Sequence, residues 1–293
     1  MNRFNRGISQ NFVNALNREY NNNGWWRKVA DDQRLFVGIR EDYVDIYFNG
    51  RRILNLKYKS GNFSGRTHFK YLLNVSREDE EKDHVTFRDG VFKRVTLKSS
   101  YDDLNNHLEG ILESADTYQK GEKVGVHHIA LLNGNIIDTE IQIPGENLRV
   151  DFAALQKRQG EIRVVFFEAK LFSSKELRSG GHRNVLNQIS SYQEVIDRRR
   201  EEIGESYQRV CRNISQMKGW GDRRSNLFAE AMARNLVVDP EVRLAVFQFD
   251  EAQRDAANGE NGIFNRLRGV LGRKRVLVTG DPTKFTTGIK SLE

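Results

Sequence analysis

The 293 residues carry 47 lysines and arginines against 40 aspartates and glutamates, a formal charge of +7. That balance suits a phosphate-bearing partner, because basic side chains neutralise phosphates and release counterions. With 38% hydrophobic and 30% charged residues the chain reads as globular and cytoplasmic. No apolar run reaches the ~18 to 20 residues of a spanning helix, and Cys211, the only cysteine, excludes an intrachain disulfide and a thiolate zinc cluster.

The length accommodates two domains, or one large α/β domain with additions. Residues 1 to 98 read as a β-rich module behind a short helix. Leu35 to Ile39 is a strand, and Tyr43 to Phe48 and Arg52 to Leu56 flank Asn49-Gly50, a hairpin signal because both residues tolerate positive φ. A second hairpin is expected at Asp89-Gly90, with an acidic loop from Ser76 to Asp83 before it. Trp25-Trp26-Arg27-Lys28 mixes aromatics with basics as base-stacking surfaces do, although a packing anchor is the better reading. The basic start from Met1 to Arg6 is followed by no apolar leader region.

Lys98-Ser99-Ser100 marks a domain boundary, with Ser100 capping a helix through Leu104, Leu108, Ile111 and Leu112. Glu122 to Leu132 continues as helix. Its adjacent His127 and His128 point in different directions, so they read as structural or substrate-facing residues, not as a ligand pair. A strand meander begins at Ile136 to Ile141. Arg149 to Ala153 and Arg163 to Lys170 are two further β-rich runs, joined by a polar turn from Gln156 to Glu161. From Asn184 the period becomes helical, with a stripe of Val185, Leu186, Ile189, Tyr192, Val195 and Ile196. The stripe continues through Ile203, Tyr207, Val210 and Ile214 with an interruption at Gly204, and offers a homodimer interface. Ser225 to Arg234 is another helix, so residues 200 to 238 look like a helical insertion. Arg198-Arg199-Arg200 and Arg223-Arg224 read as solvated charge faces. Arg243 to Asp250 and Lys274 to Gly280 are closing strands with a helix between them.

Asp151 and Glu168 each stand near the C-terminal end of their runs. Side chains alternate with period two along a strand, so Lys170 shares a face with Glu168 and Asp151 lies opposite Val150 and Phe152. Pairing of the two runs brings the carboxylates together. Two unit negative charges ~4 Å apart repel by about 4 kcal/mol at an effective dielectric near 20, and a divalent cation relieves that repulsion.

An Asp, a hydrophobic strand and a Glu-x-Lys triplet, followed on a helix by Gln188-Ile189-Ser190-Ser191-Tyr192, resemble the PD-(D/E)XK nuclease superfamily and its RecB-like branch with a Gln-x-x-x-Tyr motif. Val150 stands where the family name has proline. The resemblance covers residues 101 to 285 and implies an α/β, restriction-endonuclease-like mixed central sheet flanked by helices. The N-terminal β-rich module lies outside it. It implies Mg²⁺ or Mn²⁺ held by Asp151 and Glu168, with the Ala169 carbonyl adding a ligand. A glutamate of the first core helix joins them; Glu122 fits best, with Glu109, Glu113 and Glu140 as alternatives. Lys170 would position the attacking water, Gln188 would orient Lys170 or a phosphate, and Tyr192 would touch the substrate backbone. His182, beside Gly180-Gly181 in the loop after the Glu168 strand, is a candidate substrate contact. The implied activity is nucleic-acid hydrolysis, DNA rather than RNA, in a setting such as antiphage defence. The chain has no phosphate loop of its own, so a helicase or ATPase would be a separate partner. The alternative is a nucleic-acid-binding regulatory module with a silenced or partner-activated nuclease fold.

Overall fold

The computed structural model describes residues 3–71, 84–93, 104–118, 121–181 and 184–287. The acidic loop at Ser76 to Asp83, the boundary and cap at Lys98 to Ser100, and His182 lie outside these residues. The chain divides into two compact units, one of residues 5–127 and 209–225, the other of residues 1–4, 128–208 and 226–293. The first therefore takes in a stretch beyond residue 101 that the resemblance had counted with the nuclease domain.

The first unit opens with α1 (Gln10–Asn21), capped by the Ser9 side chain, and α2 (Trp25–Asp31). Six strands follow as an antiparallel meander in chain order: β1 (Leu35–Ile39), β2 (Tyr43–Phe48), β3 (Arg51–Lys59), β4 (Asn62–His68), β5 (His84–Arg88) and β6 (Val91–Lys93). Asn49-Gly50 turns β2 into β3 with φ of 46° and 70°, and Asp89-Gly90 turns β5 into β6 with 46° and 91°. Both pairs sit in the left-handed region, as two-residue hairpin turns require. Ser60-Gly61, with φ of 51° and 85°, makes a third such turn and launches β4, a strand that the apolar pattern did not reveal. Only alternate residues of β4 are buried, and its inward positions are Phe63, Gly65 and Thr67, too weak a signal to read as a strand.

Trp25 is a packing anchor. Its ring lies 5.2 Å from Phe63, 5.0 Å from Phe87 and 6.0 Å from Trp26. α3 (Leu104–Asp116) and the first part of α4 (Gly121–Leu132) belong to the same unit. His127 is buried, with Nε2 2.8 Å from the Arg34 carbonyl oxygen, so its role is structural. Arg223 and Arg224 do not form a solvated face. Their guanidinium groups lie 4.9 and 4.7 Å from the Trp220 ring centroid, and burial lowers the pKa of both. The aromatic surface compensates part of the lost hydration.

The second unit is built on a mixed sheet of β7 (Ile136–Gln142), β8 (Arg149–Arg158), β9 (Glu161–Leu171), β11 (Arg243–Phe247) and β12 (Val276–Thr279). Its order is β12-β11-β9-β8-β7, with the short β10 (Val237–Val238) also paired to β9. β7, β8 and β9 pair antiparallel, while β11 runs parallel to β9 and β12 parallel to β11. The β8–β9 connection is tighter than the expected Gln156 to Glu161. Pairing persists to Arg158↔Glu161, leaving the two-residue turn Gln159-Gly160 with φ of 51° and 81°.

Between β9 and β11 lie α5 (Val185–Arg198), α6 (Arg200–Gln216) and α7 (Leu227–Met232). Asn184 caps α5 by accepting the Asn187 N–H at 2.8 Å. The helical stripe breaks at Arg199, the C-cap of α5, and runs unbroken through Gly204. Ile189, Tyr192, Val195, Ile203, Tyr207, Val210 and Ile214 are all buried within the chain, so the stripe is core and not a free homodimer face. β11 ends three residues earlier than expected, because Asp250 forms a capping box with Gln253 and starts α8 (Glu251–Asn258). α9 (Ile263–Leu271) then leads to β12. The protein is thus mixed α/β. No helix of the described residues is long and apolar enough to cross a membrane.

Tyr207 shows how α6 is seated in this unit. Its ring lies 5.6 Å from Phe4 and 6.2 Å from Phe166, and its buried hydroxyl donates to Asp138 Oδ2 at 3.1 Å. Tyr207→Phe keeps the packing and removes the bond, so urea unfolding should show a loss of about 1–3 kcal/mol. An unchanged midpoint would mean the buried hydroxyl carries no net stability.

Candidate functional site

The described ladder between β8 and β9 ends at Phe152↔Phe167. Carried one residue further, the same register sets Asp151 opposite Glu168. The ladder is replaced there by a side-chain bond: Asp151 Oδ2 accepts the Ala169 N–H at 2.7 Å. Phe152 and Phe167 stack with centroids 4.6 Å apart and planes 7° from parallel, and Phe285 stands edge-on to both. Alternation puts these rings on one face of the sheet and Asp151, Glu168 and Lys170 on the other.

β9 lies between β8 and β11, so charges near its end are buried. Glu168 is 2% exposed and Lys170 6%. Lys170 Nζ lies 2.6 Å from Glu168 Oε1 and 3.1 Å from Glu176 Oε2. The three expected residues are therefore brought together, with a fourth that sequence patterning did not point to. Glu176 sits on a 3-10 turn (Lys175–Leu177) that directly follows β9, with Ser174 Oγ accepting the Glu176 N–H at 3.3 Å. The only sequence signal is Ser-x-Glu after a strand, which marks a capped turn but not its return to Lys170.

Tyr192 is buried, and its hydroxyl donates to the Arg149 carbonyl at 2.9 Å. It ties α5 to β8 two residues before Asp151; the hydroxyl is engaged with the protein and is not held out to a substrate backbone. Burial first, then the nearby Glu168 and Asp151 carboxylates, raise the Tyr192 pKa, with Lys170 opposing. Gln188 lies one turn earlier on the same helix face. Its side-chain oxygen is buried and has no hydrogen-bond partner among the described residues.

Glu122 occupies the first turn of α4, in the first unit, whereas the cluster lies wholly in the second. Of its alternatives, Glu109 is paired with Arg34, at 3.0 Å from Nη1, and Glu113 lies on the same helix, α3. Glu140 is on β7, where the pairs Thr139↔Phe152 and Ile141↔Val150 place it opposite Asp151. Its φ of 52° is unusual for a strand residue, and its carboxylate meets Arg149 at 3.1 Å.

Among the described residues, no group of three or more His, Cys, Asp or Glu side chains is arranged to hold a metal ion. Asp151 and Glu168 still supply the oxygen donors that a hard cation prefers. Mg²⁺ is commonly bound through one or two carboxylates, with water and substrate phosphate completing its shell, so this donor set fits such an ion. No family model, curated protein or solved structure matches the chain.

Two outcomes follow for the buried pair and its surroundings. Lys170→Ala leaves Glu168 buried without its ammonium partner and should cost about 3–5 kcal/mol. Glu176→Gln, at a more exposed position, should cost about 1 kcal/mol or less; equal losses in urea unfolding would contradict this ranking. The Tyr192 phenol keeps its proton in the folded state above the ordinary value near 10, while the unfolded chain releases it. The native state then binds more protons, so stability falls as pH rises past about 10. Tyr192→Phe should flatten that decline.

Proposed function

We propose that the chain is a Mg²⁺- or Mn²⁺-dependent nuclease that hydrolyses nucleic-acid phosphodiesters, DNA in preference to RNA, on a restriction-endonuclease-like second unit. The observation that carries this reading is the convergence of Asp151, Glu168 and Lys170 where the β8–β9 ladder ends. The mixed sheet of the second unit, with helices between β9, β11 and β12, is in keeping with the arrangement the PD-(D/E)XK resemblance implies and supports the reading.

Asp151 and Glu168 would hold the ion, with the Ala169 carbonyl as the further ligand that the resemblance suggests. When bound, the cation would neutralise charge on the phosphate and make water a stronger nucleophile. Lys170, two residues after Glu168 on β9, would orient the attacking water with its ammonium and offset charge building on the phosphate oxygens. Glu176 holds that ammonium from the other side, so its aim does not depend on Glu168 alone. Tyr192 acts through structure, fixing α5 against β8. Gln188, one turn before Tyr192 on the same helix face, would orient Lys170 or a phosphate, as the resemblance suggests. Antiphage defence, beside a separate helicase or ATPase, is the setting the resemblance favours.

The same ion pairs support a second reading. Lys170 is engaged by two carboxylates, so a chain whose cleavage awaits a partner or ligand would hold its lysine in this way.

Supercoiled plasmid, linear duplex, single-stranded DNA and RNA incubated with EDTA, Mg²⁺ or Mn²⁺ separate the two. Wild type should cut with metal, while Glu168→Gln and Lys170→Ala, verified as folded, should lose at least about 100-fold in rate. Cleavage that persists in both variants would remove these residues from the chemistry. Intact substrates with retained binding would favour the restrained module.

A further inference from the structure

Two adjoining hollows, of about 420 and 490 Å³, open where β9 leaves the sheet and share Phe172, Arg178 and Gln253. Lys175 lines one, and Asn261 and Arg266 line the other. They lie beyond the C-terminal ends of the parallel strands β9 and β11, where Phe172 N–H donates to the Phe247 carbonyl at 2.8 Å. Open α/β sheets bind ligands at such strand ends, and the volumes fall in the range of about 300–1,000 Å³ typical of small-ligand clefts.

The lining is cationic without compensation. Lys175, Arg178 and Arg266 form no ion pair among the described residues, and no carboxylate is among the lining residues described. Arg178 is held in place: its guanidinium lies 4.6 Å from the Phe172 ring centroid, and Nη1 donates to the Phe172 and Ser174 carbonyls at 2.5 and 3.3 Å. A guanidinium held over an aromatic ring is a platform on which an unpaired base can stack. Arg266 donates to the Leu177 carbonyl at 2.6 Å, closing α9 onto the turn that carries Glu176. That turn connects the hollows to the candidate site, because Lys175 and Arg178 flank the carboxylate that holds Lys170.

We propose that this groove binds single-stranded nucleic acid, resting on the nuclease reading for its place beside the cleavage site. Arg178 on Phe172 stacks one unpaired base, and Arg266 and Lys175 neutralise flanking phosphates. A base in a duplex is already stacked on its neighbours and cannot enter without being extruded, so the groove selects single strands or ends.

Fluorescence anisotropy of a labelled DNA oligonucleotide and of its blunt duplex tests this with the full chain in EDTA, where no metal-dependent cleavage occurs. Wild type should bind the single strand at least about tenfold more tightly. Arg178→Ala/Arg266→Ala should lose about tenfold or more, and the slope of log K against log salt should fall by about 0.7 for each phosphate contact removed. Arg266 also bonds a carbonyl, so Lys175→Glu, at an exposed position, serves as an independent variant and should weaken binding in the same direction. Equal affinity for duplex and single strand, no binding by wild type, or unchanged binding in both variants would overturn the proposal. Parallel cleavage in Mn²⁺ judges the nuclease reading separately. Groove-dependent binding without turnover would leave the groove standing and the nuclease reading fallen; turnover with groove-independent binding would do the reverse.

Discussion

A charged pair buried at the end of a central strand organises the second unit. Glu168 and Lys170 are nearly inaccessible, and taking both ions out of water costs several kcal/mol each before their attraction returns any of it. Well-packed apolar residues in their place would make a strand of at least equal stability. Their geometry makes the arrangement tolerable. Lys170 reaches two carboxylates within 3.1 Å, and Asp151 takes over a main-chain N–H at the point where the ladder stops. The polar cluster is confined to one face, while the stacked Phe152–Phe167 pair fills the other.

The surroundings brace that cluster from three directions. α5 is pinned to the start of β8 by the Tyr192 hydroxyl. The turn bearing Glu176 is capped by Ser174, and Arg266 of α9 holds its far end through the Leu177 carbonyl. Each tie is a hydrogen bond to a backbone carbonyl or N–H, so each fixes the path of the chain as well as a side chain. The functional groups therefore sit on strand ends and a capped turn that have little freedom to drift, which is the preorganisation an electrostatic site requires.

Much of this was legible in the residues, for identifiable reasons. Asn49-Gly50 and Asp89-Gly90 announce hairpins because their φ values leave few alternatives, and the stripe from Val185 to Ile196 has helical period throughout. Asp151, Glu168 and Lys170 could be joined in advance because strand alternation and a short connector determine which side chains share a face. Legibility failed where structure depends on contacts distant in the chain. β4 carries almost no apolar signal and exists because β3 and β5 flank it. Arg223 and Arg224 resemble a solvated pair until Trp220 and Phe36 are folded beneath them. The helical stripe identified a buried face but not what covers it, and Glu176 joins the cluster only because the chain doubles back after β9. The first-helix glutamate is the clearest case. Spacing favoured Glu122, but the β7–β8 register gives Glu140, opposite Asp151, a direct geometric relation to the cluster.

Charge is distributed unequally around the end of β9. Asp151, Glu168 and Glu176 outnumber Lys170, while Lys175, Arg178 and Arg266 form no ion pair among the described residues. A polyanion approaching the acidic cluster is repelled unless a cation is present, and the same polyanion is attracted by the basic groove whether or not it is. On the proposed reading, capture and chemistry fall to different groups, the first screened by salt and the second dependent on a divalent ion. Glu176 lies between the two regions on the capped turn. A strand drawn into the groove would pass beside the carboxylate that steadies Lys170, so occupancy of one region can bias the geometry of the other without any large movement of the fold.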